Sequence, residues 1–461
     1  MQLEPLLSHP TATAVVAFRG GRAVTAGEFL ADATRLAASL PAGRHVLNAC
    51  VDRYRFTVGL AACLISGRAS LLPSTHTAEV VRQLAQFAPD AFCLTDVRDC
   101  DIELPLVQFD EGARPGLPAQ DYRPPLIPAE QVAAIVFTSG STGAPLPYRK
   151  TWGPLVRCVR NAAATLAVPA GTTLIGTVPA QHMYGLESTV LLALQTGNAF
   201  TAERPFYPAD VRAAIDAAPR PRVLVTTPVH LRTVLADDQA LPALDLIVSA
   251  TAPLSQELAR EAERRFSAPL LEIYGATETG QIAVRHTAER AAFTLLSGVR
   301  LRSDNGQTYA YGGHVEQMTA LCDIVEQNGG DEFILHGRTA DLVNIAGKRS
   351  SFGYLNAQLN AIPGVEDGVF FLREGEHADV TGIPRLAAAV VAPTLSATAL
   401  MKHLRRRIDP VFMPRPLMIV ERLPRNATGK LPQQALQALA DRRTARAVRP
   451  ATHRRSPQSG S

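Results

Sequence analysis

Residues 23–40 (AVTAGEFLADATRLAASL) carry apolar side chains at the three-to-four spacing of a helix with one buried face, and Thr25 is placed to cap it. The stretches HVLNACV (45–51), ASLLP (69–73), AFCLTD (91–96) and AAIVFTSG (133–140) are short and almost continuously apolar, as strands buried on both faces are. FTVGLAACLIS (56–66) reads as a helix between two of them. Such alternation predicts an α/β sheet with crossover helices on its faces. WGPLVRCVRNAAATLAV (152–168) is a further helix, with Thr151 as its cap. A second alternating run follows, with strands at 173–180, 221–228 and 244–254 and a serine-capped helix at 255–266.

From about residue 283 the pattern changes to short polar–apolar alternations broken by glycine pairs, which predicts a small β-rich unit. Near 338 it shifts again, to a smaller α+β module ending about 440. The expected organisation is therefore a large domain over 1–337, a small domain over 338–440, and a disordered basic tail over 441–461. A chain of 461 residues is longer than one core usually organises, which agrees with more than one domain.

Composition refines this picture in two places. The net charge of +4 is carried by the tail, where six Arg and one Asp give +5 and leave −1 for the rest. The body offers no electrostatic case for nucleic acid or a membrane surface. The six cysteines form no CxxC pair, and no apolar run reaches the length of a membrane span. A cytoplasmic protein with reduced thiols is expected.

The candidate chemistry begins at FTSGSTGAP (137–145). An apolar strand runs into Thr138, Ser139, Gly140, Ser141, Thr142 and Gly143, and a helix candidate follows. Such a loop points successive amides and hydroxyls at one place, which is how a backbone nest holds phosphate oxygens. The glycine spacing is not that of a Walker loop.

Further segments stand downstream in order: PAQHMYGL (179–186), VSATAPL (248–254), LEIYGATETG (271–280), CDIVEQNGGDEFILHGRTADLVNIAGKR (322–349) and PRNATGK (424–430). Together, over residues 20–440, they resemble the adenylate-forming superfamily, which includes acyl- and aryl-CoA synthetases, peptide-synthetase adenylation domains and luciferases. The resemblance implies a large α/β domain of stacked mixed sheets with a small β unit, and a smaller α+β domain that rotates on a hinge at Ala340 and Asp341. It implies ATP and Mg2+ as cofactors, and two half-reactions. A carboxylic acid is joined to AMP with loss of pyrophosphate, and a thiol then takes the acyl group.

By the same resemblance, Lys430 neutralises the reacting carboxylate and α-phosphate. Glu278 holds Mg2+, and Thr277 donates to the α-phosphate. Asp323 accepts from the ribose hydroxyls, assisted by Arg338, and Arg349 contacts phosphate. Thr251, Ala252, Tyr274 and Gly275 complete the nucleotide site. His182 gates the acid pocket, which Tyr184, Gly185, Ser249, Ala250 and Gly275 line. His230 and His336 are given structural roles.

The sequence departs from the family where Leu321 and Cys322 precede Asp323, where Ala340 takes the hinge position, and in the phosphate loop. The lysine usual after the loop proline is Leu146 here, and Arg149 and Lys150 are the nearest cations. Lys150 or Arg149 is therefore the candidate to fold back onto the phosphates. The details GAPLPYRKTW and NIAGKRSS resemble stand-alone carrier-protein ligases acting on hydroxybenzoate-like or short acyl acids. A phosphopantetheine carrier is thus the expected acceptor, with coenzyme A as the alternative. A nucleotide-binding regulator without turnover is the reading of another class.

Overall fold

The computed structural model describes residues 2–73, 75–109, 121–139, 145–304, 307–338, 342–345, 348–373, 386–426 and 431–447. The chain divides into two compact units, one up to Leu321 together with Glu326–Leu335, the other Cys322–Val325 and from His336 onward.

Two sheets dominate the first unit. The smaller has the order Pro145–Thr151, Val132–Ser139, Ala69–Leu72, His45–Asn48, Phe92–Thr95, Leu106–Gln108. All its neighbours pair in parallel except Pro145–Thr151, which runs antiparallel to Val132–Ser139 and places Leu146 opposite Thr138 and Lys150 opposite Ala134. In the larger sheet, Leu270–Ala276, Leu246–Ser249, Arg222–Thr226, Thr173–Gly176, Ala199–Thr201 and Val15–Arg19 lie side by side and parallel. Gly280–Arg285 and Phe293–Leu295 extend it antiparallel beyond Leu270–Ala276. A three-stranded antiparallel sheet, Val299–Asp304, Gln307–Gly312 and Val315–Ala320, forms the β-rich part expected after 283.

Local signals account for most element ends. Thr25 and Glu28 form a reciprocal capping box on the helix Ala26–Ser39, and Ser255 accepts from the Leu258 amide to start Gln256–Phe266. Helices Pro208–Ala217, Pro228–Leu235 and Gln256–Phe266 bury their apolar faces on the large sheet through Ile215, Leu231, Phe266, Ile247 and Leu270. The helix written from 56 in the sequence begins at Arg53, because Asp52 caps it by accepting from the Arg55 amide. Thr151 holds the N-cap position of Trp152–Thr165 but makes no capping side-chain hydrogen bond; its hydroxyl donates to the Glu316 carboxylate at 2.7 Å instead.

In the second unit, the sheet Asp367–Leu372, Leu386–Val391, Leu417–Ile419 is apolar on both faces. Helices Phe352–Asn360 and Ala397–Leu404 contribute Leu355, Leu359 and Leu400 to the core on one face, and Gln433–Ala447 contributes Leu436 and Ala440 on the other. The sandwiched small sheet is an α+β arrangement.

Candidate active site

Parallel strands end at a common edge, and ligands of open α/β sheets bind beyond their carboxyl ends. The large sheet puts four of the predicted segments there. Thr173–Gly176 leads to His182, Leu246–Ser249 to Ala250 and Thr251, and Leu270–Ala276 to Thr277 and Glu278. Arg222–Thr226 ends between the first two, with Thr226 registered against Ser249 and Ser249 against Glu272.

The edge is tied together by polar groups. Thr177 Oγ1 donates to Thr226 Oγ1 at 2.9 Å and lies 2.7 Å from His230 Nδ1, so His230 braces the edge as its structural role requires. Tyr184 Oη lies 3.0 Å from both the Thr226 and Val248 carbonyls. Ser249 is 0% exposed, and among the described residues its hydroxyl has no hydrogen-bond partner. Thr251 is exposed and has φ +80°, a conformation a β-branched residue adopts only when its surroundings force it.

Two glycines are required by close approach. A Cβ at Gly185 would sit 2.0 Å from the Pro179 carbonyl oxygen. One at Gly275 would sit 2.4 Å from the Gly280 oxygen, where the register shifts between Tyr274 and Gly275. Gly275 therefore presents bare, exposed backbone beside the Thr277–Glu278 turn. Tyr274 is buried, and its ring centroid lies 5.7 Å from that of Phe293 and 5.5 Å from that of Phe333.

Glu278 is half-buried, and among the described residues its carboxylate makes no ion pair or hydrogen bond. No group of three or more His, Cys, Asp or Glu side chains among the described residues is placed to hold a metal. A single free carboxylate suits Mg2+, which is usually held by one or two carboxylates with substrate phosphates and water completing its shell. The residues present thus fit a magnesium ion that arrives with a nucleotide.

Lys150 crosses from the small sheet to this turn. It is 8% exposed, and its ammonium donates to the Glu278 carbonyl at 2.8 Å, a partner different from the phosphate loop. Arg149 is exposed, and Leu146 is 48% exposed. Gly140, Ser141, Thr142, Gly143, Ala340, Asp341 and Lys430 lie outside the described residues. Thr138 and Ser139 end the strand Val132–Ser139; Arg338 and Arg349 lie in Glu332–Arg338 and Lys348–Ser351; for these four only the backbone is described. Asp323 begins Asp323–Gln327 and is half-buried.

Two charged residues near the edge were not singled out from the sequence. Arg53 is buried, and its guanidinium donates to the carbonyls of Thr201, Glu203, Gly176 and Val178 at 2.7–3.1 Å. Glu187 is 2% exposed, with Cys158 Sγ 3.4 Å from its Oε1. Both interrupt apolar stretches (RYRFTVGLAACL and LESTVLLAL), and a charge in such a run must find a partner once buried.

Burial pushes the Glu187 carboxyl up to about 7, against the opposing pull of Lys150, Cys158 and Gln281. Burial likewise lowers the Lys150 ammonium, resisted first by Glu187. A carboxyl raised from its ordinary 4.5 contributes stability that is full below that value and is lost as pH rises through about 7. Glu187→Gln, which mimics the protonated acid, is expected to gain on wild type by up to about 1.4 kcal/mol per pH unit in that window. Urea midpoints at pH 5 and 8 check it; a difference that does not grow contradicts the assignment.

The AMP-binding enzyme family model matches residues 6–306. A 4-coumarate–CoA ligase of Rhodobacter capsulatus is 32% identical over 283 residues, covering 61% of this chain and 69% of that protein. The chain belongs to the AMP-binding enzyme family. It is an AMP-forming acid–thiol ligase that uses ATP. An indoleacetate–CoA ligase of Aromatoleum aromaticum is 24% identical over 365 residues, 70% of each chain. Among solved structures, ATP-bound MatB from Rhodopseudomonas palustris matches with TM-score 0.80 at 19% identity, covering 94% of this chain and 97% of that one. An anthranilate CoA ligase, AuaEII, in complex with anthranoyl-AMP matches with TM-score 0.78 at 15% identity, covering 96% and 99%. These likenesses bear out the α/β architecture of mixed sheets expected from the motifs. Among the described residues no helix is long and apolar enough to cross a membrane.

Proposed function

We propose that this ligase activates an aryl carboxylic acid, of the hydroxycinnamate or benzoate class, as its acyl-adenylate and transfers the acyl group to coenzyme A. The observation that supports the reading is the sheet edge at which the strands end in or lead to His182, Ser249, strained Thr251, bare-backbone Gly275 and Glu278, whose carboxylate makes no ion pair among the described residues. The names of the relatives, ligases of 4-coumarate and indoleacetate, support an aromatic acid. They also favour coenzyme A over the carrier protein that the sequence details suggested.

In this reading the buried Ser249 hydroxyl, unpartnered among the described residues, and the half-buried His182 face the acid. Tyr184, held on two strand carbonyls, fixes the pocket floor rather than the chemistry. Thr251, Ala252 and the Gly275 backbone bind the nucleotide. Thr277 would donate to the α-phosphate, and Glu278 would hold Mg2+, whose chemistry when bound would be neutralisation of phosphate charge. Asp323 and Arg338 take the ribose, Arg349 and residues 138–143 the phosphates, and Lys430 the reacting oxygens.

The test supplies 4-coumarate, benzoates and short fatty acids with MgATP, then offers coenzyme A or a holo carrier protein. An aryl-CoA thioester is expected, with the carrier acylated at least about tenfold more slowly, a discrimination of 1.4 kcal/mol. Selective acylation of the carrier, or of fatty acids alone, contradicts the proposal.

A further inference from the structure

The structure assigns Lys150 as a positioning residue that fixes the turn bearing Glu278, rather than as the cation missing from the phosphate loop. This deepens the reading above, because it takes Glu278 as the carboxylate that holds the metal.

Position along the strand is the first reason. The loop leaves the small sheet where Ser139 pairs with Pro145, and Leu146 follows. Lys150 pairs with Ala134, four residues past Leu146, which is about 13 Å of extended chain away. The register that puts Leu146 at the loop therefore carries Lys150 to another place.

Its bonding is the second reason. A buried ammonium normally takes a carboxylate within contact distance, because desolvation is costly. Among the described residues Lys150 has no ion pair within 4.0 Å, and its direct hydrogen bond is to a main-chain carbonyl, that of Glu278. Glu187, Glu316 and Glu278 supply attraction from further off, while Cys158 and His314 complete the polar surroundings. A hydrogen bond from an ionised donor is about twice as strong as a neutral one, and it fixes one peptide plane. Here that plane lies between Glu278 and Thr279, one bond from the Cα that carries the unpaired carboxylate. The Thr279 hydroxyl holds the same turn from the other side, accepting from the Ala276 amide at 3.3 Å.

The neighbouring packing leaves the ammonium few alternatives. A Cβ at Gly280 would lie 2.8 Å from Glu187 Oε1, so the strand after the turn passes directly over the buried acid. Gln281 is also buried, with its amide nitrogen on Ser188. Lysine, turn and acid thus form one interlocked cluster, and among the described residues the carboxylate of Glu278 makes no ion pair or hydrogen bond.

Lys150→Met tests the assignment, first without nucleotide. Hydrogen–deuterium exchange over residues 272–282 is expected to quicken by about tenfold or more, the ratio given by one lost charge-assisted hydrogen bond. Half-saturation by Mg2+ is expected to rise, and kcat for carboxylate-dependent pyrophosphate exchange to fall about 10²-fold, as small misplacements do. KM for ATP changes little. Lys150→Arg restores most of the protection, and adding Leu146→Lys to Lys150→Met rescues nothing. Unchanged exchange over 272–282, or rescue by Leu146→Lys, overturns the assignment. If Lys150→Met does not fold, a wild-type crystal with MgATP decides: Lys150 Nζ on the Glu278 carbonyl supports it, and Nζ on a phosphate oxygen overturns it. Deuterium exchange is read without substrate, so an inactive wild type would refute the proposed function and leave this result standing.

Discussion

Lys430→Ala is expected to slow acyl-adenylate formation by about 10²–10³-fold, the loss typical of one preorganised partner for developing charge. The reason lies in the reaction: a carboxylate must approach an α-phosphate, and two anions repel unless a cation meets both. Glu278 cannot supply that charge itself, and the cation usual in the phosphate loop is replaced by half-exposed Leu146. Lys150 is committed to the Glu278 carbonyl. On the proposed role of Lys430, more of the burden is therefore expected to fall on it here than where the loop lysine is present. Thiol transfer from added acyl-AMP is expected to be nearly unaffected, since that half-reaction develops no such charge pair. Single-turnover measurement of both half-reactions checks this; equal loss in both, or no loss in the first, would remove Lys430 from its assigned role.

Arg53→Met is expected to destabilise the first unit by about 3–5 kcal/mol, the range for stripping a buried charged group from its partners. Its two terminal nitrogens satisfy four carbonyls, from Thr201 and Glu203 on one side and Gly176 and Val178 on the other. Those oxygens would be left buried without donors, and each such loss costs about 1–3 kcal/mol. Burial lowers the guanidinium to about 10, still charged at neutral pH. Gly176 is shaped to it, since a Cβ there would fall 2.6 Å from the guanidinium nitrogen. The Gly176–Val178 segment leads to His182, so activity at temperatures below unfolding is expected to fall as well. Denaturant midpoints and kcat measure both; a variant within 1 kcal/mol of wild type, about the cost of an ordinary substitution, contradicts the role.

The sequence made the site's scaffold legible because period and motif coincide there. The strands Arg222–Thr226 and Leu246–Ser249 are continuously apolar over 223–225 and 246–248, as strands buried on both faces must be, and polar residues return at their ends with Thr226 and Ser249. Thr25 and Ser255 mark helix starts because capping is local chemistry. Thr151 misleads for the same reason in reverse: its hydroxyl has a better acceptor in Glu316, 165 residues away, which no local rule contains. Lys150 is the same kind of case. The chain order places it near a loop that lacks a cation, but strand register carries it to the Glu278 turn. Arg53 and Glu187 were visible as charges in apolar runs, yet their partners come from three other segments of the fold.

Exchange of labelled pyrophosphate into ATP, measured with and without an aryl carboxylic acid, tests the central claim most directly. Exchange is expected to require both the acid and Mg2+, before any thiol is added, and to be suppressed by Glu278→Gln. Exchange without the acid, or none with any carboxylate while ATP still binds, would contradict it.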